Sequence, residues 1–209
     1  MSDATASPQR IEFFYDFSSP YAYLAHEEAR RFAARLNVPL QPRPFLLGGL
    51  FRTLQSAMVP ILEATPQKRE VLDRDIHRWA EVRELPLQWP SRFPMNSILA
   101  LRVALQLEGD AHLQAMSAIF RAYWADDRDI SDAADLAAVL DAAGLDGAAL
   151  IAGSGAQPVK DALRRNTDDA YHRGAIGAPA FFWGDLHVFG QDRWEILERI
   201  VRGWRPSRG

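Results

Sequence analysis

The sequence contains no cysteine in 209 residues. That absence excludes disulfide bonds, a thiol nucleophile of the protein's own and a cysteine-ligated metal. An excess of one charge is also missing, because 24 Lys and Arg residues face 27 Asp and Glu residues. With a net charge of −3 and no basic stripe interleaved with aromatics, no nucleic-acid partner is expected. No apolar run approaches the roughly 18 residues of a membrane span, so no membrane partner is predicted either.

The residues that are present are those of a globular protein. They are 48% hydrophobic and 11% aromatic, which excludes a disordered chain and fits one large domain or a small domain with an insertion. Residues 1–10 lack the basic-then-apolar pattern of a signal peptide. We therefore expect a cytoplasmic protein.

The chain opens with the pattern of a β-α-β unit. Apolar residues alternate from Ile11 to Phe17, which predicts a strand. Ser18-Ser19-Pro20 then supplies a capping hydroxyl and a proline suited to the first helical position. Helical spacing continues from Tyr21 to Leu36, and residues 39–45 form a second predicted strand. A helix between them favours a parallel pair with a right-handed crossover.

The middle of the chain is predicted to be helical, without strands. Residues 50–65 follow Gly48-Gly49 with no clear pattern, and no element is predicted there. Breakers at glycine and proline then separate six predicted helices. They lie at about 66–85, 95–108, 111–125, 131–143, 145–152 and 157–173.

The end of the chain returns to strands. Residues 180–183 and 186–189 are predicted to form a hairpin across a two-residue turn. Gln191-Asp192 is predicted to open a last helix that turns Trp194, Leu197, Ile200, Val201 and Trp204 inward. The expected organisation is a domain of residues 9–47 and 174–209 around a helical insertion of residues 48–173, whose last helix leads back into that domain.

Three short segments have chemical potential. A serine hydroxyl at a helix N-terminus stabilises an anion, as Ser18-Ser19-Pro20 would allow. A cis bond before Pro179 would expose the backbone of Ala178 to a ligand, and Asp192 would offer a carboxylate to an ammonium group. Each segment also has a structural interpretation: an ordinary cap, a trans proline at a strand edge, and a cap of the last helix.

Taken together, these segments resemble one family. Residues 16–24, 174–179 and 189–193 look like signatures of the 2-hydroxychromene-2-carboxylate isomerases and kappa-class glutathione transferases, which belong to the thioredoxin-like group resembling DsbA. Further landmarks of the same family are Arg78-Trp79-Ala80, Pro86-Leu87 and residues 93–97. The resemblance implies an α/β, thioredoxin-like fold with an all-helical insertion domain (DsbA-like), and a homodimer.

The resemblance also implies a borrowed thiol. Ser19 stands where DsbA-like oxidoreductases have the attacking cysteine, and Ala22 where they have the resolving one. The family uses the thiol of glutathione instead, and Ser19 is its implied catalytic residue, hydrogen-bonded to the glutathione sulfur. Helix N-termini lower thiol pKa values, which agrees with that role.

The remaining implied residues bind glutathione. Ala178, before a cis Pro179, would pair with the cysteinyl unit, while Gln191 and Asp192 would hold the γ-glutamyl end. The implied contacts are completed by Ser18, Pro20 and Lys68. Lys68 is equally compatible with a solvated lysine at the start of a helix.

One segment departs from the family pattern. Family members commonly carry Gly-Asn-x-Pro-Pro after the second strand, and its asparagine contacts glutathione. Residues 51–60 lack the Gly-Asn pair here, and Gln55 or Ser56 would have to replace it.

No metal site is predicted, because His26, His77 and His112 lie far apart on separate predicted helices. Trp79, Trp89, Tyr123 and Trp124 are expected in the helical core or in the wall of an aromatic pocket.

The first hypothesis for function is a glutathione-dependent isomerase resembling 2-hydroxychromene-2-carboxylate isomerase, with glutathione and a small aromatic acid as partners. The thiolate would add reversibly to the substrate. The alternatives are a kappa-like glutathione S-transferase and a non-catalytic thioredoxin-like binding module.

Overall fold

The structure, a computed structural model, describes residues 9–207 and contains a four-stranded mixed sheet. Strand β1 (Ile11–Tyr15) pairs in parallel with β2 (Leu40–Pro44) and antiparallel with β3 (Ala180–Trp183). Strand β4 (Leu186–Phe189) completes the order β2-β1-β3-β4 through an antiparallel hairpin with β3. The parallel pair and the hairpin both agree with the predictions.

The central position of β1 explains its aromatic residues. Phe13 and Phe14 are both fully buried, although they point to opposite faces of the sheet. Phe13 stacks on Phe181, with 5.1 Å between ring centroids, and Phe14 meets Phe182 edge-on at 5.2 Å. Aromatic pairs across neighbouring strands therefore hold β1 and β3 together on both faces.

Helix α1 (Pro20–Leu36) begins and ends as its sequence predicts. Ser19 is its N-cap and Pro20 its first residue. Asn37 ends it in the left-handed conformation, with a φ of 52°. The preceding strand stops at Tyr15, two residues before its predicted end.

Seven helices separate β2 from β3 in the part of the chain that the structure describes, and no strand lies among them. One of them, α2, was not predicted. Gly48-Gly49 looks like a break, but a Cβ on Gly49 would lie 3.2 Å from a methyl carbon of Thr167 in α8. The glycine therefore lets two helices pack closely. The seven are α2 (Leu47–Leu54), α3 (Pro66–Val82), α4 (Ile98–Ala104), α5 (Gly109–Trp124), α6 (Ala133–Ala142), α7 (Gly147–Gly153) and α8 (Gln157–His172).

The last helix is shorter than predicted. Helix α9 spans Trp194–Val201 and begins three residues after Gln191. Gly203 takes a φ of 99° and turns the chain away. Trp204 is consequently 46% exposed, so its predicted inward position is wrong.

One hydrophobic core connects the sheet with the helices. Phe17 packs edge-on against Phe120 of α5, with 4.8 Å between ring centroids. The indole N–H of Trp124 donates to the Phe17 carbonyl at 2.8 Å. Tyr123 and Trp124 are fully buried, as expected for helical core. Within residues 9–207, no helix has the length and apolar character needed to cross a membrane.

Candidate active site

Ser19 lies in the turn between β1 and α1, and its hydroxyl makes two hydrogen bonds. Its Oγ accepts a hydrogen bond from the Ala22 amide at 3.2 Å, which caps the helix. The same hydroxyl donates to the Ala178 carbonyl at 2.9 Å, across 159 residues of sequence. Two segments singled out from the sequence therefore meet at one atom.

The bond between Ala178 and Pro179 is cis, as predicted. Ala178 is buried beside Ser19, and the Pro179 carbonyl accepts a hydrogen bond from Gly190 N–H at 3.2 Å. Gly190 has a φ of 108°, a conformation that favours glycine. The proline segment thus connects the start of α1 to the turn that precedes α9.

The N-terminus of α1 is electropositive. A helix of 17 residues carries a partial positive charge at this end, and no acidic residue lies in its first turn to neutralise it. Pro20 has no N–H, and Ala22 N–H is taken by Ser19. An anion placed beside Ser19 would therefore meet the Tyr21 amide and the helix dipole.

Ser18 is held by a carboxylate rather than turned toward Ser19. Its amide and its hydroxyl both donate to Asp16 Oδ1 at 2.9 Å. The other oxygen of Asp16 accepts from Leu47 N–H at 2.8 Å, which fastens the start of α2 to the same turn. These bonds to a carboxylate end β1 before Phe17, since an Asp side chain that binds the backbone two residues on turns the chain.

Asp16 is fully buried, and sequence reasoning did not single it out. Burial raises the pKa of its carboxyl group, although hydrogen bonds from Ser97, Ser18 and Leu47 act in the opposite direction. Its signal in the sequence is an aspartate between two aromatic residues at the end of a buried strand.

Gln191 and Asp192 lie in the turn before α9. Gln191 is 4% exposed, and its buried Oε1 has no hydrogen-bond partner among residues 9–207. Asp192 is exposed and forms an ion pair with Arg193, 3.5 Å between Oδ2 and Nη1. Arg193 is the N-cap of α9 and makes no side-chain capping bond. The carboxylate of Asp192 is therefore not the cap of the last helix.

Lys68 is the third residue of α3 and is exposed. Its amide donates to the Thr65 hydroxyl at 3.4 Å, the capping contact of that helix. Helix α3 packs on α1 farther along, through Ile76 and Ala80 against Leu24. Within residues 9–207, no hydrogen bond joins the Lys68 side chain to Ser19.

The segment without the family's Gly-Asn pair forms the end of α2. Gln55 is in the left-handed conformation with a φ of 53°, and its N–H donates to Arg52. Gln55 and Ser56 are both exposed. The structure therefore uses Gln55 to end a helix.

A half-buried aromatic cluster lies between α1 and α3. Tyr21, Trp79 and Trp89 pack around Leu24 and its neighbours. Burial, followed by the negative charges of Asp75 and Asp192, raises the pKa of the Tyr21 phenol. The predicted aromatic residues thus divide into buried core, in α5, and a partly open wall near the start of α1.

Comparison with known proteins identifies the family of the chain. Residues 10–202 match the DSBA-like thioredoxin domain, and the chain belongs to that family. It is 29% identical over 198 residues to a 2-hydroxychromene-2-carboxylate isomerase from Sphingobium xenophagum, covering 91% of this chain and 97% of that protein. It is 28% identical over 209 residues to glutathione S-transferase kappa 1 from Homo sapiens, covering 93% and 91%.

A solved structure of a 2-hydroxychromene-2-carboxylate isomerase has the same fold. It superposes with a TM-score of 0.79 at 21% identity, over 92% of this chain and 94% of that one. The predicted family and the thioredoxin-like fold with helices inserted between β2 and β3 are confirmed. The relatives are named as isomerases and as glutathione transferases, which supports an enzyme of this family.

Proposed function

We propose that this protein is a glutathione-dependent isomerase of the type that its first relative represents, acting on a small aromatic acid. The observation that carries the proposal is the contact of 2.9 Å between Ser19 Oγ and the Ala178 carbonyl. It places a hydroxyl, a helix N-terminus and the residue before Pro179 at one point. The chain has no thiol of its own to put there, so thiol chemistry at this point would need the thiol of a ligand.

The residues present fit glutathione. The backbone of Ala178 suits the amide groups of a cysteinyl unit, in the manner of a strand added to an edge. The buried Oε1 of Gln191, which has no hydrogen-bond partner among residues 9–207, would accept an N–H from the γ-glutamyl end. The Asp192 carboxylate, which caps no helix, suits the ammonium group. When bound, glutathione supplies a thiolate that adds reversibly to an activated double bond and is then released.

Ser19 would stabilise the negative charge of the glutathione sulfur. Its proton is directed at the Ala178 carbonyl in the structure. A ligand amide that donates to the same carbonyl would free the hydroxyl to turn toward the sulfur. Together with the N-terminus of α1, that hydrogen bond favours the thiolate over the thiol.

The half-buried cluster of Tyr21, Trp79 and Trp89 supports an aromatic acceptor. These rings pack on Leu24, one turn along α1 from the helix start. A planar substrate held against them would be close to the sulfur, so that proximity adds to the electrostatic effect.

Isomerisation of a 2-hydroxychromene-2-carboxylate by purified protein with and without glutathione tests the proposal. We expect turnover that requires glutathione and is lost in Ser19→Ala. Unchanged turnover in Ser19→Ala would show that the role assigned to Ser19 is wrong.

A kappa-like transferase is the second candidate, because the human kappa relative is 28% identical and the isomerase 29%. Both reactions need the same thiolate site, and they differ in whether the conjugate is released. Product analysis with an electrophilic aryl halide distinguishes them, since a stable conjugate favours the transferase. Failure to bind glutathione would favour the third possibility, a non-catalytic binding module.

A homodimer belongs to the proposal through the family resemblance. Sedimentation of the purified chain measures it, and a monomer would contradict it.

A further inference from the structure

Arg83 connects three elements, one of which is the turn that carries Gln191 and Asp192. It is the C-cap residue of α3. Its Nη1 donates to the Leu24 carbonyl in α1 at 2.6 Å, and its Nη2 donates to the Gln191 carbonyl at 2.7 Å. The guanidinium carbon lies 4.8 Å from the centre of the Trp79 ring. One half-buried side chain thus bridges α1, α3 and the turn before α9.

The bridged carbonyl belongs to the peptide that joins Gln191 to Asp192. That peptide is trans, and a planar trans peptide directs its C=O and its N–H to opposite sides. Holding the Gln191 carbonyl therefore fixes the direction of the Asp192 N–H and the position of the Asp192 Cα. The bond from Gly190 N–H to the Pro179 carbonyl, at 3.2 Å, holds the other end of the same turn.

The contact to Leu24 relates this turn to the sulfur end of the site. Leu24 lies in α1, whose N-cap is Ser19. Arg83 therefore fixes the Asp192 turn against the same helix that presents Ser19. Both ends of a bound tripeptide would be positioned relative to one rigid element.

The chemistry of the side chain suits this bridge. Burial lowers the pKa of Arg83 to about 10, although the charges of Glu28 and Asp192 raise it. The guanidinium is thus charged at neutral pH, and its two bonds are charge-assisted. A lysine offers a single ammonium group and lacks the planar fork that reaches two carbonyls at once.

We infer that Arg83 is a positioning residue for the γ-glutamyl end of glutathione, holding the Gln191-Asp192 peptide so that Asp192 faces the ligand's ammonium group. This inference rests on the proposed function. It concerns affinity for one end of the ligand, while Ser19 concerns the other.

The test compares two ligands in calorimetric titrations. Arg83→Met should weaken glutathione binding by roughly ten- to a hundredfold, because the charge-assisted contact between Asp192 and the ligand's ammonium group would be lost. Binding of cysteinylglycine, which lacks the γ-glutamyl unit, should change by less than about twofold. Arg83→Lys should fall between Arg83→Met and the unsubstituted protein. The control is Arg31→Met. Arg31 is exposed and lines a cavity of about 270 Å³ together with Arg83, but it does not bind the two carbonyls.

A second series separates the possible outcomes. In an Asp192→Asn background, Arg83→Met should cost little further affinity, since the positioned group is gone. Equal losses for both ligands, or additive losses with Asp192→Asn, would overturn the inference and leave Arg83 a structural residue. If Arg83→Met does not fold, the same comparison with Arg83→Lys decides. A protein that binds neither ligand before any substitution overturns the proposed function itself, and the inference with it.

Discussion

Replacing Ser19 by alanine should affect stability and sulfur chemistry by separate amounts. The variant loses the capping bond to Ala22 N–H, a loss of about 1 kcal/mol, and the donor to the buried Ala178 carbonyl, about 1–2 kcal/mol more. We expect the free energy of unfolding to fall by about 2–3 kcal/mol. Denaturant unfolding followed by circular dichroism measures this loss.

Ser19→Ala should also weaken the binding of the glutathione thiolate, in addition to the loss of stability. A hydrogen bond to a charged group contributes about 1.5–3 kcal/mol, which is roughly ten- to a hundredfold in affinity for the thiolate. The pKa of the bound glutathione thiol should therefore be higher in Ser19→Ala than in the unsubstituted protein. The ultraviolet absorbance of the thiolate, followed against pH at saturating protein, reports that pKa.

Ser154 provides a matched control. It is also buried, and its hydroxyl donates to the Ile151 carbonyl at 2.7 Å at the end of α7. Ser154→Ala should lower stability by about 1–2 kcal/mol and leave the thiol pKa unchanged. If both variants lose stability but neither changes the bound thiol, the assignment of Ser19 is refuted.

Three further predictions concern other parts of the molecule. Burial lowers the pKa of His112, whose Nε2 accepts from the Tyr15 hydroxyl at 2.9 Å. The stability that the neutral imidazole contributes should therefore be lost as pH falls below about 6.5. His112→Gln should make the denaturation midpoint less dependent on pH between about pH 7 and 5. Asp192→Ala should weaken the binding of glutathione much more than the binding of an analogue without the amino group. Equal weakening would contradict the assignment of Asp192 to the ammonium group. Gly147→Ala would push a methyl group into the backbone of α6 and should cost about 1–3 kcal/mol in denaturant unfolding. Gly155→Ala, which enters open space, should leave stability within about 0.5 kcal/mol.

Local sequence patterns predicted much of the fold. The alternation in β1, the Ser-Pro start of α1 and the two-residue turn of the hairpin are signals contained within a few neighbouring residues, and each agrees with the structure. Helix α2 was missed for the opposite reason. Gly49 is explained by a contact with Thr167, more than a hundred residues away, which no local pattern reveals.

The candidate site was predictable in its serine and proline, and less so in what supports them. Asp16 fixes the turn by accepting hydrogen bonds from the amide and the hydroxyl of Ser18. Arg83 donates to two backbone carbonyls, and every residue has a backbone carbonyl. Neither contact produces a spacing in the sequence. The assignment of residues 48–173 to a separate insertion stays a prediction, and Phe17 and Phe120 already share one core across its boundary.

The most direct test of the account is a calorimetric titration of the purified protein with glutathione and with S-methylglutathione. We expect micromolar binding of glutathione that becomes much weaker when the sulfur is methylated, because a methylated sulfur cannot form the thiolate proposed to lie beside Ser19. Equal affinity for the two ligands would contradict a thiolate site. Millimolar or undetectable binding of glutathione would contradict the proposed isomerase and leave only the fold.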